Sequence, residues 1–378
     1  VTVDNGVASV AGVAAARARG IDVLVTDHHL PGAELPAANV MVNPNLPGSR
    51  FGSRALAGVG VAFYVMVALK RALDSAGLVA PSAPAPAEWL DLVALGTVAD
   101  VVPLDFNNRV LVAQGLARIR AGRCVPGIRA LLEIARRDRA DLTASDLGFA
   151  IAPRLNAAGR LDDMSIGIRC LLADREVEAR SLAARLDQLN VERRAIEGQM
   201  QVQALAAVRH LGPIATPGAR QRSGVCLFDA TWHQGVVGLV ASRIKERLRR
   251  PVVAFAHGGD GLLRGSARSV AGVHVRDVLE NIAARHPGLI VRFGGHAMAA
   301  GLTLAHEQLD AFAAAFDAEV AGWLGANADR DRLDTDGELA VDDICLATAE
   351  ALRAGGPWGA AFPEPVFDGG FSVERARI

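Results

Sequence analysis

Val1-Thr2-Val3-Asp4-Asn5-Gly6 and Val23-Leu24-Val25-Thr26-Asp27-His28-His29 decide how this chain is read. Each is a short β-branched apolar run that stops at acidic or imidazole side chains, as buried parallel strands do. Between them, Val7 to Arg19 is alanine-rich and predicts a helix, with Gly20 placed to end it. Strand, helix and strand make one βαβ unit. Its right-handed crossover delivers Asp4 and the Asp27-His28-His29 triplet to the same carboxyl edge of one sheet. Ligands of open α/β sheets bind at that edge, and carboxylate with imidazole suits Mn, Zn or Fe. Asp4-Asn5-Gly6 alone also fits an ordinary turn. Three titratable groups closing a buried strand need partners or water, so the two strand ends together read as half of a metal site.

Downstream, Asn39 to Pro44 predicts a further strand, Ala55 to Gly77 a long helix, and Glu88 to Leu95 a helix leading into Gly96 through Leu104. Asp100 lies in that stretch among Val98, Ala99, Val101 and Val102, either as a third ligand or as a helix-capping acid. A two-ion phosphoesterase site needs more ligands than Asp4, His28 and Asp100 supply. The missing ones are expected before Val1, and both ends of the chain read as cut. Residues 126–173 carry a helical pattern interrupted at Ala152 to Arg160. Residues 174–211 form one long charged run whose single Gly198 a helix tolerates, at about 1 kcal/mol against alanine. A second α/β lobe is expected over 222–325. Its strands are Val225 to Phe228, Val252 to Phe255 and Leu302 to Leu304, and its helices Gly235 to Arg249 and His306 to Leu324. The Gly/Pro-rich segment beyond 330 reads as the start of a β-rich domain.

At 378 residues the chain has room for two or three domains. Its composition, 51% hydrophobic and 21% charged with a net charge of −1, is that of a soluble globular protein and excludes a grossly basic one, so any nucleic-acid contact must come from local patches. The four cysteines lack C-x-x-C spacing and read as reduced thiols, which fits a cytoplasmic protein. The most apolar stretch, Ala55 to Leu73, ends in Lys70-Arg71 and reads as a buried helix, so no membrane association is expected.

Four further segments carry polar groups in suggestive context. Arg154, Asn156 and Arg160 flank a proline and a Gly-Arg step, where helix capping and surface arginine explain them equally well. Trp232 and His233 precede a helix starting near Gly235, whose backbone N–H groups suit an anion; Trp232 serves as a base platform or, more simply, as core. Ser266 and Arg268, at spacing two, share one face of any strand there and suit a phosphate. His296 sits in the glycine-rich run Gly294 to Gly301, which tight turning alone would explain.

Taken together, these segments resemble the DHH phosphoesterase superfamily, and within it the RecJ single-stranded-DNA-specific 5′→3′ exonucleases. Val3-Asp4-Asn5-Gly6 looks like the second family motif, Asp27-His28-His29 the third and Val98-Ala99-Asp100 the fourth. Ala152 to Arg160, Trp232 to Gly238, Gly265 to Ser269 and Gly294 to Gly301 resemble RecJ segments, the later ones in its DHHA1 domain. Gly356-Pro357-Trp358-Gly359 and Phe362-Pro363-Glu364-Pro365 resemble the entry to its OB-type domain. The resemblance implies an α/β fold: a parallel-sheet DHH domain over 1–173, a connecting helix over 174–213, a smaller α/β DHHA1 domain over 214–328 and the start of an OB-type domain over 329–378. It implies hydrolysis of single-stranded DNA with Mn²⁺ or Mg²⁺, two ions in the complete site. Asp4, His28 and Asp100 would be metal ligands, Asp27 would orient an imidazole, and His29 would steady the phosphate. Arg154, Asn156 and Arg160 would hold backbone phosphates, with Trp232 and His233 beside them. Ser266, Arg268 and His296 would close on the terminal phosphate. A single-strand-binding protein and a helicase are the implied partners. The family's first Asp-x-Asp motif is not in the sequence, which implies impaired activity for this polypeptide alone. The alternatives are a small-substrate DHH phosphodiesterase, acting on oligoribonucleotides or cyclic dinucleotides, and a non-catalytic DNA-binding relative.

Overall fold

A computed structural model of the chain describes residues 1–80, 82–210, 222–324 and 334–377. The chain divides into two units, the first made of Val1–Ala158, Met164–Asp187 and Asp334–Ile378, the second of Gly159–Asp163 and Gln188–Leu333. Residues 211–213 of the expected connecting helix, 214–221 and 325–328 of the expected second domain, and 329–333 and 378 of the third lie outside the described residues.

In the first unit, β1 (Thr2–Val3), β2 (Leu24–Thr26) and β3 (Val40–Val42) form a parallel sheet in that order, with α1 (Val10–Arg17) as the first crossover. Val3 pairs with Thr26, so Asp4 and Asp27 leave neighbouring strands side by side. Val13, Val23 and Val25 bury the α1 face, and Gly20, at φ +72°, provides the left-handed exit that the sequence predicts. Next come α2 (Gly58–Ser75), α3 (Leu90–Ala99) and α4 (Phe106–Arg120), whose shared core includes Leu56, Val61, Phe63, Leu90, Val93 and Leu111. Asp100 caps the carboxyl end of α3, and Val101 follows at φ +60°. The remaining helices of this stretch are α5 (Pro126–Ile134), the short α6 (Ala144–Asp146), α7 (Ala152–Leu161), α8 (Ser165–Leu172) and α9 (Glu176–His210).

Two expectations for these regions need correction. Ala152 to Arg160 does not interrupt the helical pattern; it is helix α7 itself, entered through a π-turn at Leu147–Ile151. Pro153 follows directly on that π-turn, where the regular i→i−4 ladder is already interrupted and its missing N–H is tolerated. The segment beyond 334 carries no sheet among the described residues. It contains α13 (Leu346–Gly355) and the isolated bridges Glu338–Asp368 and Gly359–Phe362. It groups with the first unit, where Leu104 N–H donates to Ala360 C=O (2.7 Å), Trp358 stacks on Phe362 and Arg109 lies over the Phe362 ring. Apart from those two bridges, this Gly/Pro-rich stretch forms turns and exposed segments among the described residues.

The second unit is a five-stranded sheet in the order β4-β5-β6-β8-β7. In chain order its elements are β4 (Val225–Phe228), α10 (Val237–Leu248), β5 (Val252–Gly259), β6 (Leu262–Arg268), α11 (Val275–Arg285), β7 (Arg292–Gly295), β8 (Ala299–Ala305) and α12 (Leu309–Leu324). Only β4 and β5 are parallel. Val225, Leu227, Val252 and Ala254 pack towards α10, and Val253, Phe255, Leu263 and Ala267 towards α11 and α12. The Gly294 to Gly301 run is not a loop but the β7–β8 hairpin, closed where His296 N–H donates to Ala299 C=O (2.8 Å). No helix among the described residues is long and apolar enough to cross a membrane.

Candidate metal centre and phosphate site

Asp27 is the anchor of the first site. It is 1% exposed and accepts four hydrogen bonds, from Val7 N–H (2.9 Å), His28 N–H (2.7 Å), His29 N–H (3.1 Å) and the His29 ring Nδ1 (2.7 Å). Burial alone would push its carboxyl pKa up; the four bonds outweigh it and hold the group below its usual range. Binding Nδ1 of His29 leaves Nε2 as the free ring atom, the arrangement that a carboxylate imposes on a ligating or phosphate-facing histidine.

Around this anchor Asp4, His28 and His29 converge, with ligand atoms all within 4.8 Å of one another. Nε2 of His28 lies 2.9 Å from Asp4 Oδ1 and 3.5 Å from Asp100 Oδ2. It is buried and without a hydrogen bond of proper geometry. The Asp4 carboxylate raises the His28 pKa against the opposing effect of burial, with Asp100 helping. Burial and the nearby Asp4 raise that of Asp100, against the lowering effect of His28. Two carboxylates and an orphaned imidazole nitrogen facing one point are a donor set that fits a divalent cation. The structure therefore brings together the predicted ligands Asp4, His28 and Asp100, and adds His29 to the same cluster.

Parts of this cradle were not read from the sequence. Asn43 and Asn45, just after β3, donate their side-chain amides to the carbonyls of His29 (2.9 Å) and His28 (2.6 Å) and so fix the triplet's backbone. Gly58 opens α2 directly against Asp4. A Cβ at position 58 would lie 2.7 Å from Asp4 Cγ, and Asp4 itself is held at φ +59°.

Of the other first-unit candidates, Asn156 is exposed on α7. Arg154 is already engaged, its Nε 2.9 Å from Asp187 Oδ1 and its Nη1 bonded to Ala150 C=O. An incoming phosphate would compete with Asp187.

The second unit gathers cations around the start of α10. Arg160 Nη1 donates to Gly235 C=O (3.1 Å), and Arg268 Nη1 donates to Ser266 Oγ (3.1 Å). A Cβ on Gly238, in the first turn of α10, would meet Arg268 Nη2 at 2.8 Å and Ser266 Oγ at 2.9 Å. Burial, then the neighbouring Arg193, lowers the Arg160 pKa; burial, then Arg160, lowers that of Arg268. Half-buried guanidiniums that repel one another beside a positive helix end call for an anion. Arg160, His233, Gly235 and Ser266 line one cavity of about 530 Å³ there.

Trp232 takes no part in that cavity. It is 5% exposed within the core of α10 and β4, with its indole N–H bonded to Gln203 Oε1 (2.9 Å), so the base-platform reading is replaced by packing. His296 is exposed at the hairpin turn, in the row of the sheet that Arg268 and Ala299 share.

Comparison with known proteins follows the same division. Residues 1–97 match the DHH family, N-terminal domain, and residues 221–322 match the DHHA1 domain. Over 385 aligned residues the chain is 57% identical to the single-stranded-DNA-specific exonuclease RecJ of Dickeya dadantii, covering 100% of this chain and 66% of that protein. The crystal structure of RecJ from Thermus thermophilus in complex with Mn²⁺ aligns with a TM-score of 0.81 at 34% identity, over 97% of this chain and 51% of that one. A crystal structure of exonuclease RecJ bound to manganese aligns at 0.65 and 37% identity, over 85% and 74%. The chain thus spans about two thirds of the curated relative and about half of the first structure.

Proposed function

Because this chain belongs to the RecJ family of DHH proteins, we propose that it hydrolyses single-stranded DNA from the 5′ end with Mn²⁺ or Mg²⁺, in DNA repair and recombination. The observation that carries the reading is the convergence of Asp4, His28 and His29 at the carboxyl edge of the β1-β2-β3 sheet, with Asp100 beside His28. Asp4, His28 and Asp100 would hold the cation. When bound, it supplies Lewis-acid stabilisation of charge building on the phosphoryl group. Asp27 keeps the His29 ring in one orientation, and His29 steadies the phosphate or the leaving oxygen. Arg160, Ser266 and Arg268 bind phosphate through charge-assisted hydrogen bonds, with His233 and His296 alongside. Arg154 and Asn156 contribute backbone contacts once Arg154 exchanges Asp187 for phosphate. The net charge of −1 leaves these local clusters as the source of affinity. A helicase and a single-strand-binding protein fit as suppliers of substrate, and the free cysteines fit a reducing cytoplasm.

The test is an Mn²⁺ assay of the protein with the family's first Asp-x-Asp segment restored, on end-labelled single-stranded DNA, with blunt duplex, a dinucleotide and the His28→Ala variant in parallel. Stepwise loss of mononucleotides from the 5′ end of the single strand only, abolished by His28→Ala, is expected. Cleavage of the dinucleotide but not the long strand would replace this reading with a small-substrate phosphodiesterase. Binding without cleavage would replace it with a DNA-binding scaffold.

A further inference from the structure

The β6-β8-β7 part of the second unit contains four glycines on paired strands, and only two have a structural reason to be glycine. A Cβ on Gly265 would run into the Phe255 ring, and Gly295 stands at φ +146° with its Cβ position taken by Ala299 and Ala300. Gly294 and Gly301 differ. Neither has a positive φ, a Cβ on either would meet nothing within 4 Å, and both are exposed. They also face each other directly, since Gly301 pairs with Gly294 on one side and Ser266 on the other. Glycine weakens a strand, and where packing and backbone do not demand it, it marks the close approach of something from outside.

The register shows what lies beside this bare patch. Two residues along, Arg264 pairs with Thr303 and Thr303 with Arg292, so both arginines stand on the same face as Gly294 and Gly301. Helix α10 packs on β5 and β6, whereas α11 lies against β7 and β8; on the other face of β7 and β8, Arg292, Gly294 and Gly301 are exposed and Thr303 is buried. Both arginines are exposed. Arg264 has only a long contact to Gln234 (3.3 Å), and Arg292 one to Thr303 Oγ1 (3.3 Å). No carboxylate pairs with either among the described residues. Arg264, Arg292, Gly294, Gly301 and Thr303 line a cavity of about 320 Å³. Arg264 also lines the cavity that holds Arg160, His233 and Ser266, so the two form one continuous surface.

We infer that this glycine-paved face, bounded by Arg264 and Arg292, is a further subsite for the phosphodiester backbone of single-stranded DNA, beyond the Arg160/Ser266/Arg268 phosphate cluster. Two unpaired guanidiniums supply charge for phosphates, and the bare floor lets the sugar-phosphate chain lie against the sheet. From Ser266, Arg292 is two strands across, about 10 Å, and two residues along, about 7 Å. A single nucleotide held at the cluster does not reach it, and a longer strand does. The inference rests on the nucleic-acid reading above and adds to it a dependence on strand length.

The experiment compares binding of thymidine 5′-monophosphate with that of 5′-phosphorylated oligothymidine of about ten nucleotides, in EDTA to prevent hydrolysis. The proteins are the parent, Arg292→Gln, Arg292→Lys and Gly301→Val. Valine suits a strand and its Cβ meets nothing within 4 Å at position 301, so that variant is expected to keep the fold while occupying the floor, checked by an unchanged circular dichroism spectrum. For the oligonucleotide, Arg292→Gln and Gly301→Val are expected to weaken binding by roughly three- to tenfold, and Arg292→Gln to reduce the slope of log K against log salt by about 0.7. Arg292→Lys recovers most of the slope, and the mononucleotide is bound equally by all four proteins. If parent and variants bind the oligonucleotide equally, the subsite is overturned while the nucleic-acid reading stands. Equal weakening of mononucleotide and oligonucleotide would also overturn it, by placing the effect at the phosphate cluster. A parent protein that does not bind the oligonucleotide overturns both.

Discussion

Replacing Asp27 with Asn changes one buried oxygen to an amide nitrogen and tests the site's anchor without adding volume. If the remaining oxygen keeps the His28 N–H, His29 N–H and His29 Nδ1 bonds, the new amide donor faces the N–H of Val7, itself 2% exposed. Leaving that donor unsatisfied costs about 1–3 kcal/mol, and the other three bonds lose their charge assistance. A total loss of about 2–4 kcal/mol follows, a large part of a typical 5–15 kcal/mol stability. The pH dependence has a definite sign. The native carboxyl sits below its usual range, so its stabilisation is present in full above about pH 4 and is lost as pH falls through the lower native value. Denaturant unfolding of parent and variant at neutral pH and near pH 3 measures both quantities. The gap should be about 2–4 kcal/mol at neutral pH and shrink in acid. A neutral-pH gap under about 0.5 kcal/mol, or one equally wide in acid, refutes the reasoning.

Two further outcomes concern the metal. Gly58→Ala places a methyl group against the Asp4 carboxyl at the start of α2, where alanine itself favours the helix. Mn²⁺ affinity should fall by about 10–100-fold as Asp4 is pushed aside, and an unchanged titration would contradict the assignment of Asp4. Because Asp4 raises the His28 pKa above its usual value and a bound cation must displace that proton, Mn²⁺ affinity should climb with pH through the ordinary imidazole range and level off only above it. Calorimetric titrations from about pH 6 to pH 9 that show a flat profile would argue against His28 as a ligand.

The first sheet was legible because its strands are continuous apolar runs that end in chemistry. Strand, helix and glycine stop then place Asp4 beside Asp27 by topology alone. Asn43, Asn45 and Gly58 were not legible, since their roles depend on which loop returns to the triplet and which helix end meets Asp4. The second unit was harder. β6 reads Leu-Leu-Arg-Gly-Ser-Ala-Arg, which alternates but has only Gly265 and Ala267 at its inward positions after Leu263, a weak apolar signal, and α11 and β7 passed unread beside it. In the antiparallel part of that sheet, function is written across strands and not along them.

Trp232 and Gly301 show how far this distinction reaches. Trp232 is the kind of residue that draws a nucleic-acid reading from sequence, because an aromatic beside a histidine and a glycine helix start looks like a stacking platform. Its surroundings decide otherwise, since Gln203 takes the indole N–H and the α10 core takes the ring. Gly301 draws no such reading, because a glycine in a Gly/Ala-rich run explains itself as a turn. Only the register, which sets it opposite Gly294 and two residues along from two arginines without a carboxylate partner among the described residues, turns the missing side chain into information. A side chain advertises itself in the sequence whether or not it is available. An absent one acquires meaning only when the structure shows that nothing required it to be absent.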